Sequence, residues 1–160
     1  MQSLVVYRCR KRKALIREIV DADIPALFVV RPRTRENAMS VEELAGIGIT
    51  PESIRAAMAG SHRGWLYEED GEVGGFAMGD SAQAELTVMA MLPEHEGKGI
   101  GGQLLTNVEN WLAAEGCDRI WLTTDINPEL RAYGFYLRHG WEDWKIDHGL
   151  RFMRKSLQLQ

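Results

Sequence analysis

Cysteine is scarce in this chain, which contains only Cys9 and Cys117 among its 160 residues. Two cysteines are too few for a disulfide-stapled scaffold, and Cys117 lies where a buried strand is expected to begin, so we interpret both as reduced thiols. The four histidines are scattered along the chain without the spacing of a zinc site. The sequence therefore predicts no metal centre.

Long apolar runs are also absent. No run approaches the roughly 20 apolar residues that cross a bilayer, and the basic residues near the start follow a short apolar stretch, which is the reverse of a secretory signal. We therefore expect no membrane contact and a cytoplasmic location. With 45% hydrophobic and 26% charged residues, a chain of this length can bury one core of its own, so we expect one domain.

Positive charge is concentrated in residues 8–13, RCRKRK, which carry five of the nineteen Lys and Arg. The other fourteen stand against all twenty-three Asp and Glu in residues 14–160, which gives this body a net charge of about −9. A basic hexapeptide can bind nucleic acid. Because no basic helix or aromatic-studded basic stripe follows it, we expect no nucleic-acid partner. We interpret residues 1–13 as a disordered basic tail and residues 14–160 as the domain.

Strand and helix patterns alternate along this body. Strands are predicted at 14–20, on both sides of the turn at Asp70-Gly71, and at 84–92, 118–124, 141–146 and 150–157. Helices are predicted at 21–30, 41–45, 51–59, 101–115 and 128–139. The last of these is expected to be capped by Asn127, with Pro128 at its first position. Segment 31–50 is polar and weakly periodic, which favours a flexible loop on the substrate side.

Four glycines occupy positions 97–102, between the apolar strand 84–92 and an amphipathic helix. A glycine turn of this kind points several unpaired backbone N–H groups at one spot, and the N-terminus of the helix adds about half a positive charge. Lys98 can add a full charge. The turn is therefore expected to bind phosphate or pyrophosphate.

Two known phosphate motifs compete for this turn. Gly97, Gly99 and Gly102 satisfy the dinucleotide-binding pattern G-x-G-x-x-G, and Asp125 follows about twenty residues on, after a strand. However, four residues separate the strand from Gly97, and the 35 residues after Asp125 are too few to complete a doubly wound sheet. A P-loop is excluded because the chain lacks G-x-x-x-x-G-K-[ST]. A loop with nothing bound is the remaining alternative.

The residues around the turn resemble a third family. VMAMLPEHEGKGIGGQLL, followed some thirty residues later by RAYGFYLRHGW, looks like the two central signatures of the GNAT superfamily of acyl-CoA N-acyltransferases. The first signature is strand, turn, Q/R-x-x-G-x-G/A and helix, and the second is a helix ending in an aromatic-Tyr pair before GF or GW. The resemblance implies an α/β fold of the α+β type, with a mixed, mostly antiparallel sheet of six to seven strands and helices on both faces.

One residue departs from the superfamily's pattern. Glu96 stands where Gln or Arg is usual, so a carboxylate would lie beside the bound pyrophosphate. This carboxylate is expected to lower the affinity for the pyrophosphate unless the Glu96 side chain turns outward. Backbone amides still provide most of the anion binding.

The resemblance also implies a cofactor, acetyl-CoA, whose pyrophosphate the glycine turn cradles and whose pantetheine arm pairs with the preceding strand. The implied cofactor-binding residues are Met89, Ala90, Met91, Gly97, Lys98, Gly99, Ile100, Gly101, Gly102 and Asn127. The Met91 amide is the implied donor to the thioester carbonyl, and a donor of this kind can contribute about 3 kcal/mol. His95, in the same turn, is expected to face solvent.

Two side chains are candidates for proton transfer. Glu85 lies six residues before Met91, on the same face by the two-residue period of a strand. A strand glutamate at this offset is the base in histone-acetylating members of the superfamily, so the resemblance makes Glu85 the candidate base; a polar residue starting a strand is the equal alternative. Tyr136, four residues before Gly140, matches the tyrosine that protonates the leaving thiolate in the superfamily. Tyr133, one helical turn earlier, is expected to pack in the core.

The predicted function is an N-acetyltransferase that passes an acetyl group from acetyl-CoA directly to a primary amine in a ternary complex. The amine belongs to a small molecule or a protein, and the acidic body favours a cationic acceptor. Relatives commonly form homodimers. The alternatives are an acyl-CoA-binding regulator without catalysis and, further off, an NAD-binding oxidoreductase.

Overall fold

The computed structural model describes residues 12–157 of the chain. Cys9 and most of the predicted basic tail fall in residues 1–11, outside the described part. Within it, no helix is long and apolar enough to cross a membrane.

Seven strands of the described part of the chain form a mixed sheet with the order β1-β2-β3-β4-β5-β7-β6. Their bounds are β1 Ala14–Glu18, β2 His62–Glu69, β3 Glu72–Asp80, β4 Glu85–Met91, β5 Arg119–Asp125, β6 Glu142–Asp147 and β7 Leu150–Ser156. Only the neighbours β4 and β5 run parallel, and the other pairs are antiparallel. The predicted mixed, mostly antiparallel sheet is confirmed, and β4 lies at its centre.

Five α-helices accompany the sheet in the described residues: α1 Ile24–Val30, α2 Val41–Gly46, α3 Pro51–Ala59, α4 Ile100–Ala114 and α5 Arg131–Arg138. The side chain of Ser40 accepts a hydrogen bond from the Glu43 N–H and caps α2, and Thr50 accepts one from the Ser53 N–H and caps α3. These side-chain caps explain why both short helices begin where the sequence predicts.

The helices cover both faces of the sheet. On one face Leu104 and Leu112 of α4 pack against Ile120 and Leu122 of β5 in a single core cluster. On the other face residues of α1 to α3 form a second cluster with Phe76 and Ala90 of the central strands. Each fully buried aliphatic side chain contributes roughly 1.5–3 kcal/mol of burial free energy. The sheet is therefore fixed from both sides.

Helix α5 begins later than the sequence predicts, and Asn127 does not cap it. The Asn127 side-chain oxygen instead accepts a hydrogen bond from the backbone N–H of Glu129 at 3.0 Å, and Asp125 Oδ1 accepts one from the Asn127 N–H at 2.8 Å. Asp and Asn that bond the backbone two residues on make turns. The segment after β5 is therefore a turn, and α5 starts at Arg131.

Strand β4 contains a bulge that overturns the expected orientation of Glu85. Val88 pairs with Met78, whereas Leu86 pairs with Gly79, so Thr87 is the extra residue. Leu86 consequently shares the α4-side core with Met89 and Met91. Since neighbouring strand residues point to opposite faces, Glu85 faces away from that side. The prediction that Glu85 and Met91 share a face is wrong, because the bulge shifts the two-residue period by one.

Candidate functional site

Strands β4 and β5 pair only where they begin and then separate. Their registered pair is Glu85 with Trp121, supported by the bond from the Trp121 N–H to the Ala84 oxygen at 3.0 Å. On the opposite edge of β4, the N–H of Leu92 donates to the Gly74 oxygen of the neighbouring strand at 2.9 Å. Backbone groups alternate sides along a strand, so those of Met89 and Met91 point into the gap beside β5.

This gap is a cleft with a volume of about 940 Å³. Its walls come from β4, β5, the glycine turn, α5 and segment 31–39. Six of the predicted cofactor-binding residues line it: Met89, Met91, Gly97, Gly99, Gly101 and Gly102. The other four do not: Ala90 and Ile100 are buried in the cores, Lys98 is exposed, and Asn127 makes the turn described above.

The glycine turn has the backbone that its sequence suggests. Gly97 and Gly99 have φ of +76° and +78°, in the left-handed region that glycine enters without strain. Nothing lies within 4 Å of the position that a Cβ would take at either residue. Gly99 precedes the first turn of α4, whose leading N–H groups lack partners within the helix. An anion can therefore approach the backbone at Gly97 and Gly99 without meeting a side chain.

Tyr136 reaches the cleft from α5 and is 8% exposed. Its ring packs edge-on against Phe135 and Trp141, with centroids 5.3 and 5.9 Å away. Burial raises the pKa of Tyr136 well above the usual value for a phenol. Tyr136 is therefore a neutral phenol in the cleft wall. Tyr133 packs against the same core from outside the cleft, and its hydroxyl donates to Asp143 at 2.5 Å.

Glu85, the candidate base, does not line the cleft. Burial, and then the nearby charge of Asp80, raise the pKa of the Glu85 carboxyl. A raised pKa makes a carboxylate a better proton acceptor, but the bulge turns this one to the far face of β4. Its role as base stays a prediction, and it would need water to reach the cleft.

Glu96 is turned towards two arginines. Its Oε2 lies 2.6 Å from Arg131 Nη1 on α5 and 3.5 Å from Arg35 Nη2 in segment 31–39. These ion pairs direct the carboxylate across the mouth of the cleft. A charge that seemed unfavourable beside a pyrophosphate is thus compensated by two guanidinium groups.

Segment 31–39 crosses the cleft and is held at both sides. The Asn37 side-chain amide donates to the Met89 oxygen of β4 at 3.1 Å, and Glu36 Oε2 accepts a hydrogen bond from the Arg131 N–H at 2.9 Å. Arg31 Nη1 donates to the Asn37 oxygen at 2.7 Å. The sequence pattern does not reveal these residues, because their partners in β4 and α5 are 52 and 95 positions away.

His95 does not face solvent as expected. Its side chain is only 14% exposed, and its ring stands edge-on to that of Tyr67 at a centroid distance of 5.1 Å. No group of three or more His, Cys, Asp or Glu in residues 12–157 is arranged to hold a metal ion.

Comparisons with known proteins bear on this cleft. The model of the family described as Acetyltransferase (GNAT) matches residues 31–141. No curated protein sequence matches the chain.

Three solved structures illustrate the fold. The PaiA N-acetyltransferase of Thermoplasma acidophilum, in complex with coenzyme A, has a TM-score of 0.76 and 19% identity, covering 91% of this chain and 99% of that one. The ribosomal-protein-S18-alanine N-acetyltransferase of Escherichia coli has a TM-score of 0.71 and 16% identity, covering 92% and 96%. The phosphinothricin acetyltransferase of Sinorhizobium meliloti, in complex with acetyl-CoA, has a TM-score of 0.67 and 20% identity, covering 90% and 88%. At these identities the likeness is one of fold.

Proposed function

We infer that this chain, which belongs to the GNAT acetyltransferase family, transfers the acetyl group of acetyl-CoA directly to a primary amine in a ternary complex. The family model covers residues 31–141 and so includes both sequence motifs. The observation that carries the proposal is the separation of β4 from β5, with the glycine turn at one end of the cleft and Tyr136 in its wall.

The cofactor would lie along β4. The free N–H groups at the start of α4 suit its pyrophosphate. The outward backbone groups of Met91 and the N–H of Met89, whose oxygen accepts from Asn37, suit the amides of its pantetheine arm, as an added strand would. The Met91 N–H is the proposed donor to the thioester oxygen. Such a donor stabilises the oxyanion of the tetrahedral intermediate by about 3 kcal/mol.

Direct transfer needs two proton movements. The amine nitrogen forms a bond to the acetyl carbon and loses a proton, while the bond from carbon to sulfur breaks and the thiolate takes up a proton. Tyr136 is the proposed acid because its phenol is neutral and lies in the cleft wall. The base is proposed to be Glu85 acting through a chain of water molecules. No cysteine is among the lining residues described, so an acyl-thiol intermediate has no support.

The first experiment measures binding by calorimetric titration of the protein with acetyl-CoA and, separately, with NAD. Gly99→Asp should abolish acetyl-CoA binding, because it places a carboxylate at the anion site. Gly71→Asp is the matched control, since Gly71 has a φ of +81°, has open space at its Cβ position like Gly99, and lies with its neighbours outside the cleft lining. It imposes the same backbone strain on a distant loop, and we expect acetyl-CoA binding to be unchanged.

A panel of primary amines with acetyl-CoA then tests catalysis. Turnover that requires both acetyl-CoA and amine supports the transferase, whereas binding without turnover of any amine supports the regulator. Binding of NAD alone would reject the proposal.

A further inference from the structure

Arg31 is a half-buried guanidinium in the cleft that has no carboxylate partner among residues 12–157. It follows directly on α1 and lines the cleft. Its recorded hydrogen bond is to the backbone oxygen of Asn37 at 2.7 Å. Two other arginines of the lining, Arg35 and Arg131, share Glu96 as a partner. Arg31 therefore brings an uncompensated positive charge into the cavity.

The donor geometry of Arg31 leaves room for a ligand. A guanidinium has five N–H donors in a planar fork, and the bond to Asn37 uses one of them. Burial lowers the pKa of the Arg31 guanidinium, which reflects the loss of water around the charge. An anion that accepts two parallel hydrogen bonds from the guanidinium would replace the interactions with water that burial removes.

Arg31 and the glycine turn line the same cleft, but the elements that carry them pack on opposite faces of the sheet. The residue before it, Val30, is buried in the core between α1 and the sheet, and this core also contains Ala90 of β4. The glycine turn leads into α4, which packs in the core on the opposite face. An anion bound at Arg31 would therefore enter from the α1 side of the sheet.

Arg31 is also close in the structure to the proposed site of acetyl transfer. Its partner Asn37 donates a hydrogen bond to the oxygen of Met89, and Met89 belongs to the strand proposed to pair with the pantetheine arm. Met91, the proposed donor to the thioester oxygen, is two residues further along that strand, so a ligand held by Arg31 would lie near the acyl end of the cofactor, where the acceptor amine must attack.

We propose that Arg31 binds a carboxylate of the acceptor, so that the substrate class is an amine that also carries a carboxylate, such as a free amino acid. This inference rests on the proposed function. The net charge of the body favours the cationic amine, but the local charge in this part of the cleft favours an anionic group on the same molecule. Arginine suits a carboxylate better than lysine does, because its planar guanidinium can donate two parallel hydrogen bonds to the two carboxylate oxygens.

The test compares amino acids with the amines that remain after loss of their carboxyl group: phenylalanine with phenethylamine, tyrosine with tyramine, and lysine with cadaverine. We expect the wild-type protein to have a higher kcat/KM for at least one acid than for its decarboxylated partner. Arg31→Gln should raise KM for that acid at least tenfold and remove the preference, while the Kd of acetyl-CoA stays unchanged. Arg31→Lys should restore only part of the preference.

The control is Arg33→Gln, which removes an exposed arginine two residues away that does not line the cleft. It should leave both KM and the preference unaltered. Circular dichroism confirms that each variant is folded.

Three results would overturn the inference. Wild-type protein that prefers the decarboxylated amines, or acetylates none of the acids, has no carboxylate site. If Arg31→Gln keeps the wild-type preference for the acid, another residue recognises the carboxylate. Weakened acetyl-CoA binding in Arg31→Gln assigns Arg31 to a phosphate of the cofactor. If the wild-type protein shows no preference for the acids but still acetylates an amine, the proposed function stands and only the carboxylate site is rejected. If the wild-type protein does not bind acetyl-CoA, the proposed function and the carboxylate site are both rejected.

Discussion

At the scale of single residues, the buried phenol of Tyr136 gives the sharpest test of mechanism. Tyr136→Phe keeps the ring that packs against Phe135 and Trp141 but removes the only proton the side chain can give. A positioned acid typically contributes about 10²- to 10⁴-fold to the rate. We expect kcat to fall within that range, with little change in the Kd of acetyl-CoA, as measured by release of free thiol and by calorimetry.

Tyr133→Phe is the matched control, since it removes the same atom from the same helix at a position outside the cleft. It loses the hydrogen bond to Asp143 and is expected to change kcat by less than about threefold if that bond only stabilises the fold. An equal loss of kcat in both variants would contradict the assignment of Tyr136 as the acid.

The pH dependence of the wild-type rate follows from the same residue. Because burial raises the pKa of Tyr136 above its usual value, the phenol stays protonated throughout the neutral and mildly alkaline range. The rate should therefore not decline between about pH 7 and pH 9.5 through loss of this acid. A pH profile of kcat with a fall in that window, absent in Tyr136→Phe, would show that the phenol ionises more easily than its surroundings indicate.

At the scale of elements, Glu96 joins the glycine turn, α5 and segment 31–39 across the mouth of the cleft. The two arginine side chains that pair with Glu96 are more than half exposed. Exposed ion pairs of this kind contribute about 0–1 kcal/mol each to the free energy of unfolding. Glu96→Gln should therefore change the free energy of unfolding by less than about 1.5 kcal/mol, by chemical denaturation.

The same substitution should tighten acetyl-CoA binding. It removes a carboxylate near the proposed pyrophosphate site and leaves the charges of Arg35 and Arg131 uncompensated. We expect the Kd to fall about three- to tenfold at low salt and less at high salt, because salt screens such charges. Glu94 is an exposed carboxylate in the same turn that pairs with no basic group of residues 12–157, so Glu94→Gln should have little effect. Weaker binding in Glu96→Gln would show that the ion pairs shape the turn itself.

The elements that the sequence predicts well are those whose signals are local. The starts of α2 and α3, the turn at Asp70-Gly71 and the glycine turn at 97–102 depend on residues that are neighbours in sequence. Local chemistry also misled the prediction once, since Asn127 is a good cap residue whose side chain bonds the backbone within its own turn.

Other features depend on contacts that a pattern does not contain. The bulge at Thr87 changes the face of Glu85, and it is defined by pairing with β3 rather than by the residues of β4 alone. The contacts of Asn37 and Arg131 with segments far along the chain are equally hidden. The glycine motif thus located the cleft, while the residues crossing it had to be seen in three dimensions.

At the scale of the whole molecule, a polar cluster joins the cofactor helix to the C-terminal strands. Glu109 of α4 is 9% exposed, and its two oxygens accept hydrogen bonds from Trp141 Nε1 at 3.0 Å and from Lys155 Nζ at 2.8 Å. Lys155 also donates to the His139 oxygen just after α5. The cluster therefore fixes α4, the end of α5 and β7 relative to one another.

Lys155→Met tests whether this cluster stabilises the entire fold. The substitution preserves the length of the side chain but leaves the Glu109 carboxylate nearly buried without its counter-ion. Loss of one partner of a buried pair costs about 3–5 kcal/mol, and since Lys155 keeps some contact with solvent we expect about 2–3 kcal/mol by urea denaturation.

The double variant Lys155→Met/Glu109→Gln distinguishes charge from packing. Because it removes the unpaired carboxylate and retains a group that can accept from Trp141, it should recover at least about 1 kcal/mol relative to Lys155→Met alone. Arg154 lies on β7 like Lys155 and forms an exposed ion pair with Glu142 of β6. Arg154→Met, which breaks that pair, should lower the free energy of unfolding by less than about 1 kcal/mol. If Lys155→Met is no more destabilising than Arg154→Met, the Glu109 carboxylate is solvated, and apolar packing rather than this cluster holds α4 against β7 and the end of α5.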